Sequence, residues 1–298
     1  MIRYQTKLGA FYKGEVKTLL SNREFNVYRN KVNLIFTSPP FPLNRKKKYG
    51  NLQGSEYSEW FSNLAPLFSD FLTDDGSIVI EMGNSWEPRK PVMSTLALRS
   101  LLAFLDMGNL YLCQQFIWYN PAKLPSPAQW VNIERIRVKD SFTHIWWMSK
   151  TPFPKANNKN VLEEYSKSMK NLLKTKKYNA GKRPSEHVIG SKSFLKNNNG
   201  AIPSNVLIST NTNSSTNYLN YCRDNNLVPH PARMPINIPN FFINLLTSPG
   251  DIVMDTFAGS NTTGQSSEEL NRRWISIETN MDYILGSKGR FSEIKEFE

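Results

Sequence analysis

The sequence predicts an α/β fold with a doubly wound, mostly parallel sheet that is interrupted by a basic insertion. Short β-branched runs alternate with helical patterns over the first 120 residues, and this alternation resumes after about residue 230. Between the two parts, residues 151–229 show little sustained apolar periodicity and an excess of basic side chains. We therefore expect one discontinuous domain, formed by residues 1–150 and 230–298, and a separate inserted region at 151–229.

The first half of the chain contains a predicted βαβ series. Val32–Phe36 and Ser77–Ile80 are short apolar runs that predict strands. Tyr57–Leu72 has aromatic and leucine side chains at helical spacing, and Asp74-Asp75-Gly76 is expected to end this helix. Three further elements are predicted before the insertion: a helix at Val92–Asp106 and strands at Tyr111–Tyr119 and Thr143–Met148.

After the insertion, the alternation of helices and strands continues as far as Glu278. The predicted elements are a helix at Phe241–Leu246, a strand at Gly250–Asp255, a helix at Thr263–Asn271 and a strand at Trp274–Glu278. The predicted core is therefore built from segments that are far apart in the chain.

Composition limits the class of protein. The chain has 298 residues and a formal net charge of +12, and an excess of this kind is typical of proteins that bind a polyanion such as DNA or RNA. Its two cysteines form no C-x-x-C pair and it has three histidines, so we expect no metal site and a reducing, cytoplasmic setting. No apolar run approaches the roughly 20 residues of a membrane span.

The inserted region is strongly basic. Eleven Lys or Arg residues stand against three Glu residues between Lys155 and Lys196, and Asn and Ser are frequent after them. One interpretation is a solvated insertion without a ligand. The other is a surface that binds phosphates, with polar side chains available for contacts in a groove of the nucleic acid.

The stretch "DIVMDTFAGSNTTG", residues 251–264, has the outline of a nucleotide-binding turn. Its small residues allow a ligand to approach the backbone, and a helix N-terminus follows. Asp255 and Glu278 end two successive strands 23 residues apart, close to the roughly 20 residues expected for a carboxylate that binds ribose. We expect Asp255 to meet a cationic amino group and Phe257 to form an apolar wall, although either acid alone is more typical of a capping or solvated carboxylate.

Three motifs together resemble a known family. The stretch above is similar to the D-x-F-x-G-S-x-x-T-G motif of S-adenosylmethionine (AdoMet)-dependent DNA amino methyltransferases, and "TSPPF" resembles their S/D/N-P-P-Y/F catalytic tetrad. "HPARMPINIPNFFI", residues 230–243, is similar to the family segment that closes over the methionine end of the cofactor. The motif order is that of the permuted beta class, which implies a Rossmann-like, seven-stranded AdoMet-binding sheet.

The resemblance implies roles for individual residues. Glu278 is implied to bind the ribose hydroxyls of AdoMet, and the remaining cofactor-binding residues are Thr37, Pro235, Asp255, Phe257, Gly259 and Ser260. The tetrad residues implied in catalysis are Ser38, Pro39, Pro40 and Phe41. Because the tetrad and the cofactor turn both follow strands, we expect them to face one crevice at the carboxyl edge of the sheet.

The tetrad suits an amino group as the methyl acceptor. The lone pair of such a group is delocalised into the base, so the amino group needs hydrogen-bond acceptors, which the Ser38 hydroxyl and the proline carbonyls supply. Phe41 offers a face for stacking of a flipped base. Serine at the first tetrad position is typical of N4-cytosine enzymes. The alternatives are an N6-adenine enzyme and a DNA-binding protein that keeps the fold without catalysis.

The expected partner is double-stranded DNA, with a separate cognate restriction endonuclease and a monomeric or homodimeric state. The basic run Arg45, Lys46, Lys47 and Lys48 is expected either to close on the DNA backbone or to be a simple solvated loop. In the insertion, Arg183 is one of several side chains available for bidentate base contacts.

Overall fold

The computed structural model describes residues 1–41, 54–212 and 216–297. The chain divides into two compact units, one formed by Met1–Ala156 with Asn205–Glu298 and the other by Asn157–Ser204. Residues 205–229 of the expected insertion thus belong to the larger unit. The reason is their packing, because Val206–Ile208 pairs in the main sheet and Asn217–Asp224 packs against the C-terminal helices.

The larger unit contains the regular elements that surround the main sheet. Its elements before the smaller unit are β1 (Ile2–Gln5), β2 (Gly9–Lys13), α1 (Val16–Leu20), β3 (Val32–Thr37), α2 (Gly54–Ser62), α3 (Leu64–Phe71), β4 (Leu72–Gly83), α4 (Leu96–Gly108), β5 (Tyr111–Tyr119) and β6 (Phe142–Ser149). The smaller unit contributes α5 (Lys167–Thr175), β7 (Gly181–Lys182) and β8 (Val188–Ile189). The larger unit continues with β9 (Val206–Ile208), α6 (Asn217–Asp224), α7 (Asn237–Leu246), β10 (Ile252–Asp255), α8 (Thr262–Glu269), β11 (Arg273–Glu278), α9 (Met281–Ser287) and β12 (Lys295–Glu296).

Among the described residues, the main sheet has ten strands in the order β12-β1-β2-β11-β10-β3-β4-β6-β5-β9. The strands from β2 to β4 pair in parallel, and β6 is antiparallel to both of its neighbours. In sheet order, the seven neighbouring strands β2-β11-β10-β3-β4-β6-β5 match the seven-stranded sheet that the family resemblance implies. Three short strands extend its edges, β12 and β1 on one side and β9 on the other. The mostly parallel α/β prediction is therefore confirmed.

Helices cover both faces of this sheet. On one face, Ile35, Met254 and Ile275 belong to a single buried cluster that also includes side chains from α1 to α4. On the opposite face, Phe36 contacts Phe242 of α7. Because Ile35 and Phe36 point to opposite faces and both are buried, the sheet is covered on both faces, as expected for a doubly wound fold.

Three sequence predictions need correction. The helix expected over Tyr57–Leu72 is two helices, because Pro66 has no N–H with which to bond to the carbonyl of Ser62. Asp74 and Asp75 do not precede β4; they lie within it, in an irregularity of the pairing with β3 that leaves both acids exposed. The helix α4 begins at Leu96 and not at Val92, because residues 86–93 form a small hairpin.

The smaller unit, Asn157–Ser204, is described throughout, and none of its side chains is fully buried. It carries ten Lys or Arg residues and three Glu residues. Lys167, Lys170 and Lys174 are exposed on α5 at a spacing that places them along one face of the helix. This unit is held by local hydrogen bonds and small apolar contacts, such as the ring contact between Tyr178 and Phe194.

Three further observations apply to the described part of the chain. No helix there is both long enough and apolar enough to cross a membrane. No group of three or more His, Cys, Asp and Glu side chains among those residues is arranged to hold a metal ion. Cys113 and Cys222 are both free thiols.

Candidate active site

The two motif turns lie side by side at the carboxyl edge of the main sheet. β3 and β10 pair in parallel, with Leu34 opposite Val253 and Ile35 opposite Met254. The turn that begins at Ser38 and the turn that begins at Thr256 therefore leave the sheet next to each other. Both turns line a cavity of about 1080 Å³.

A buried hydrogen-bond network joins these two strand ends. The Thr37 hydroxyl donates to Asp255 Oδ1 over 2.8 Å, and the Thr263 hydroxyl donates to Asp255 Oδ2 over 2.6 Å. The Phe257 N–H donates to Asp255 Oδ1 as well, over 3.1 Å. Burial raises the pKa of Asp255 to about 6, and these hydrogen bonds oppose that shift. Asp255 is thus engaged by its neighbours through both oxygens and holds the turn in place, and it also lines the cavity.

The glycine of the cofactor turn allows a close approach. Gly259 has φ of +48°, in the left-handed region, and a β-carbon placed on it would come within 3.0 Å of the His230 ring. A side chain at this position would therefore be both strained and obstructed. The missing side chain lets the His230 ring lie against the turn, and Gly259 and His230 both line the cavity.

Glu278 connects the cofactor turn to the end of β11. Its Oε2 accepts the Gly259 N–H over 2.9 Å, and its Oε1 accepts the N–H groups of Thr279 and Asn280 over 2.8 and 2.9 Å. The carboxylate also lines the cavity. Oε1 also accepts the Thr279 hydroxyl over 3.2 Å, so the lone pair that a further hydroxyl donor can approach is on Oε2.

Arg290 holds the same turn from behind. Its guanidinium donates to the carbonyl and the hydroxyl of Ser260 and to Gln265, and it lies 4.7 Å from the Tyr218 ring centre. Burial lowers the pKa of Arg290 to about 10, which leaves it charged at neutral pH. The Ser260 side chain is therefore directed toward Arg290 while the residue still borders the cavity.

Aromatic side chains form an apolar wall of the cavity. Phe257 and Trp60 meet edge to face with ring centres 5.7 Å apart, and Tyr57 packs against Trp60. All three residues line the cavity. Such a wall can accept the flat face of a heterocycle or the positive charge of a sulfonium group.

The tetrad serine is bonded to a buried acid. The register of β3 against β4, with Thr37 opposite Ile80, places Ser38 beside Glu81. The Ser38 hydroxyl donates to Glu81 Oε2 over 2.5 Å. Burial raises the pKa of Glu81 to about 7, although the Ser38 hydrogen bond and the charge of Lys123 oppose the shift. Ser38 and Glu81 thus form a hydrogen-bonded pair that changes charge near neutral pH.

The Phe41 ring is placed by the end of β4. A β-carbon on Gly83 would lie 2.4 Å from the Phe41 ring, so the ring rests on the Gly83 backbone. Phe41 is half-buried and lines the cavity together with Pro39 and Pro40. One face of the ring is supported by protein, which leaves the ring available as a platform in the cavity.

The structure brings most of the predicted site residues together. The predicted residues that line the cavity are Ser38, Pro39, Pro40, Phe41, Asp255, Phe257, Gly259, Ser260 and Glu278. Thr37 lies beneath the cavity and holds Asp255, and Pro235 is next to the lining residue Met234 without lining the cavity itself. Arg183 belongs to the smaller unit, where it donates to the Asn179 carbonyl. Arg45, Lys46, Lys47 and Lys48 lie outside the described residues.

Glu81 and Arg290 are absent from the sequence prediction. A signal for Glu81 was present, because it is an acid that directly follows the apolar run Ser77–Ile80 at the carboxyl end of a predicted strand. Acids at that edge of a parallel sheet are candidates for a site. No comparable signal marks Arg290, which lies 30 residues from Ser260 in the chain.

Comparison with known proteins gives a consistent result. A family model described as DNA methylase matches residues 32–288. The Type II methyltransferase M.PvuII of Proteus hauseri is 43% identical over 290 residues, which are 97% of this chain and 85% of that protein. The solved structure of PvuII DNA methyltransferase (cytosine-N4-specific) superposes with a TM-score of 0.77 at 36% identity and covers 97% of this chain and 88% of that one.

A more distant structure shares the fold. The complex of M1.HpyAVI with SAM has a TM-score of 0.54 at 20% identity, covering 96% of this chain and all of that one. The family model spans nearly the whole sequence, and the M.PvuII similarity extends through both motif turns. The chain therefore belongs to the N6/N4 DNA methylase family.

Proposed function

We propose that this protein transfers a methyl group from AdoMet to the exocyclic N4 of a cytosine in double-stranded DNA. The observation that carries the proposal is the hydrogen bond from Ser38 to buried Glu81, in the same cavity as the cofactor turn. The cytosine-N4 specificity of the PvuII enzyme, which is 36% identical in structure-based comparison, supports the choice of base.

The cavity suits AdoMet in volume and chemistry. The Glu278 carboxylate, which is held by the Gly259 N–H, offers Oε2 to the ribose hydroxyls. Phe257 and Trp60 supply an aromatic surface for the sulfonium and the adenine. When bound, AdoMet would supply an electrophilic methyl group. Asp255 acts indirectly in this proposal, by holding the Phe257 N–H and the Thr263 hydroxyl in place.

Ser38 and Glu81 together make the amino group of the base a better nucleophile. Since the Ser38 proton is directed to Glu81, the hydroxyl oxygen presents its lone pairs to an N–H of the base. That hydrogen bond opposes delocalisation of the nitrogen lone pair into the ring. Methylation leaves the nitrogen with one proton too many, and Glu81 is placed to receive it through Ser38. Its pKa of about 7 suits a group that both accepts and releases a proton at neutral pH.

Phe41 provides the surface on which the flipped base stacks. The ring is held against Gly83, so little side-chain freedom is lost when a base binds. Stacking of a base on an aromatic side chain stabilises a complex by about 1–3 kcal/mol. This contribution offsets part of the unstacking cost within the duplex.

The basic smaller unit is proposed to bind the DNA backbone. Its charge balance and the row of Lys167, Lys170 and Lys174 on α5 favour contacts with phosphates. Arg183 and the run Arg45–Lys48 remain predictions for DNA contact. A role in a restriction-modification system, beside a separately encoded cognate endonuclease, is favoured by the similarity to a Type II methyltransferase.

The product of the reaction tests the proposed function. Purified protein, tritiated AdoMet and genomic DNA should give labelled N4-methyl-2′-deoxycytidine after digestion to nucleosides, and mapping of the modified positions should reveal the recognition site. Label found only in N6-methyl-2′-deoxyadenosine would replace the proposal with the adenine alternative. DNA binding without any AdoMet binding in calorimetry would support a non-catalytic protein.

Ser38→Ala should lower the rate of methyl transfer by about 100-fold or more, because the amino group loses its acceptor and its route to Glu81. The AdoMet dissociation constant, measured by calorimetry, should change little. Ser126→Ala is the control, since Ser126 also lines the cavity but is not bonded to Glu81. Equal losses of turnover and AdoMet affinity would show that Ser38 shapes the cofactor pocket instead.

The methyl-transfer rate should rise with pH through about 7 and level off above it. Below that pH the Glu81 carboxyl is protonated and cannot accept the Ser38 proton. Single-turnover rates of Glu81→Gln should be low and lack this rise, whereas exposed Glu24→Gln should retain it.

Because the folded pKa of Glu81 lies above its ordinary value of 4.5, its contribution to stability is lost as pH rises. Glu81→Gln should therefore unfold at higher urea than wild type at pH 8, but not at pH 4.5.

Glu278→Ala should raise the AdoMet dissociation constant by about 10- to 100-fold, as expected for the loss of hydrogen bonds to a charged group. The matched control is Glu269→Ala, an exposed acid on α8 that bonds only to Gln265 in the described structure. Calorimetry with AdoMet measures both constants. An unchanged constant for Glu278→Ala would contradict the ribose assignment.

A further inference from the structure

The loop between β5 and β6 presents an apolar side chain at the cavity. Leu124 lines the cavity and is nevertheless 80% exposed. It lies between Lys123 and Pro125, directly after the strand that ends at Tyr119. A leucine exposed at the edge of a binding cavity leaves apolar surface in contact with water. A ligand that covers this surface gains binding free energy.

The backbone that carries Leu124 is anchored on both sides. Before it, the N–H groups of Ala122 and Lys123 donate to the Asn120 side chain and carbonyl over 3.0 and 3.2 Å. The Lys139 ammonium donates to the carbonyls of Pro121 and Lys123 over 3.0 and 3.5 Å. After it, the Ser126 carbonyl accepts the Asp140 N–H over 2.9 Å. The side chain is therefore presented from a loop whose shape is set by the protein, and not from a free tail.

The loop that carries Leu124 is basic. Lys123, Arg135, Arg137 and Lys139 belong to the same loop, against the two acids Glu134 and Asp140. Arg135, Arg137 and Lys139 are exposed. The cations of such a loop are complementary to the phosphates on the outside of a duplex. Its apolar side chain is complementary to the base faces that are exposed when the duplex is distorted.

We propose that Leu124 is a wedge that enters the DNA stack and fills the space left by the flipped cytosine. The inference rests on the proposed function, since a space of this kind exists only where a base leaves the duplex for the cavity. The removed base leaves apolar faces of its neighbours and an unpaired guanine. A leucine in that space covers those faces and slows the return of the cytosine, and the flanking cations hold the phosphates. Leu124 acts as a positioning residue and does not touch the reacting atoms.

Fluorescence of 2-aminopurine at the target position tests this inference without requiring methyl transfer. The duplex carries the site found by modification mapping, and the signal rises when the 2-aminopurine leaves the stack. Leu124→Ala should reduce the enhancement several-fold relative to wild type. Ile133→Ala is the control, because Ile133 is 70% exposed on the same loop and does not line the cavity. Leu124→Met, which keeps an apolar side chain of similar volume, should preserve the signal.

A second measurement separates a wedge from a general DNA contact. Leu124→Ala should lower the single-turnover methylation rate about tenfold on a paired target, equivalent to ~1.4 kcal/mol. On a duplex with an abasic site opposite the cytosine, where flipping costs less, the loss should shrink to less than about threefold. Equal losses on both duplexes, or equal fluorescence for Leu124→Ala and wild type, would overturn the inference. Label found only in N6-methyl-2′-deoxyadenosine with wild type would instead count against the proposed function, while the fluorescence comparison at the mapped adenine would still decide the role of Leu124.

Discussion

The buried hydrogen bond between Thr37 and Asp255 is the contact on which the rest of the site depends. It joins the ends of β3 and β10, which are more than 200 residues apart in the chain, and it fixes the separation of the two turns that follow them. Burial of an acid in this position costs free energy unless its oxygens are satisfied. The hydroxyls of Thr37 and Thr263 and the Phe257 N–H bond to these oxygens, so this acid holds together the two turns that line the cavity.

The second acid at the sheet edge has a different environment. Glu81 accepts a hydrogen bond from Ser38 and remains in contact with the cavity, so its charge responds to what occurs there. Burial alone would keep it neutral, and the Ser38 hydrogen bond and the Lys123 charge bring its pKa back to about 7. Asp255 and Glu81 therefore illustrate two uses of a buried carboxyl on one sheet: the first holds turns together, and the second can exchange a proton near neutral pH.

The energetic problem of the proposed reaction is to remove a cytosine from a stacked duplex. Phe41 can stack with the base in the cavity, and the proposed wedge at Leu124 compensates for the space that the base leaves. Both side chains are presented on backbones held by the protein, one by packing on Gly83 and the other by the Lys139 and Asn120 hydrogen bonds. We propose that cations of the β5–β6 loop and of the smaller unit attract the DNA phosphates, whatever the base sequence.

The sequence by itself determined the fold class, the family and both motif turns. These features depend on local preferences. Alternating apolar runs predict the sheet, and the shapes of the proline and glycine turns depend on residues that are close in the chain. Tertiary structure decided which partners the motif residues meet. Glu81 lies beside Ser38 only through the register of β3 against β4, and Arg290 reaches Ser260 only after the C-terminal helices fold back. Register and helix docking depend on the packing of the whole core, so neighbouring residues in the chain do not reveal them.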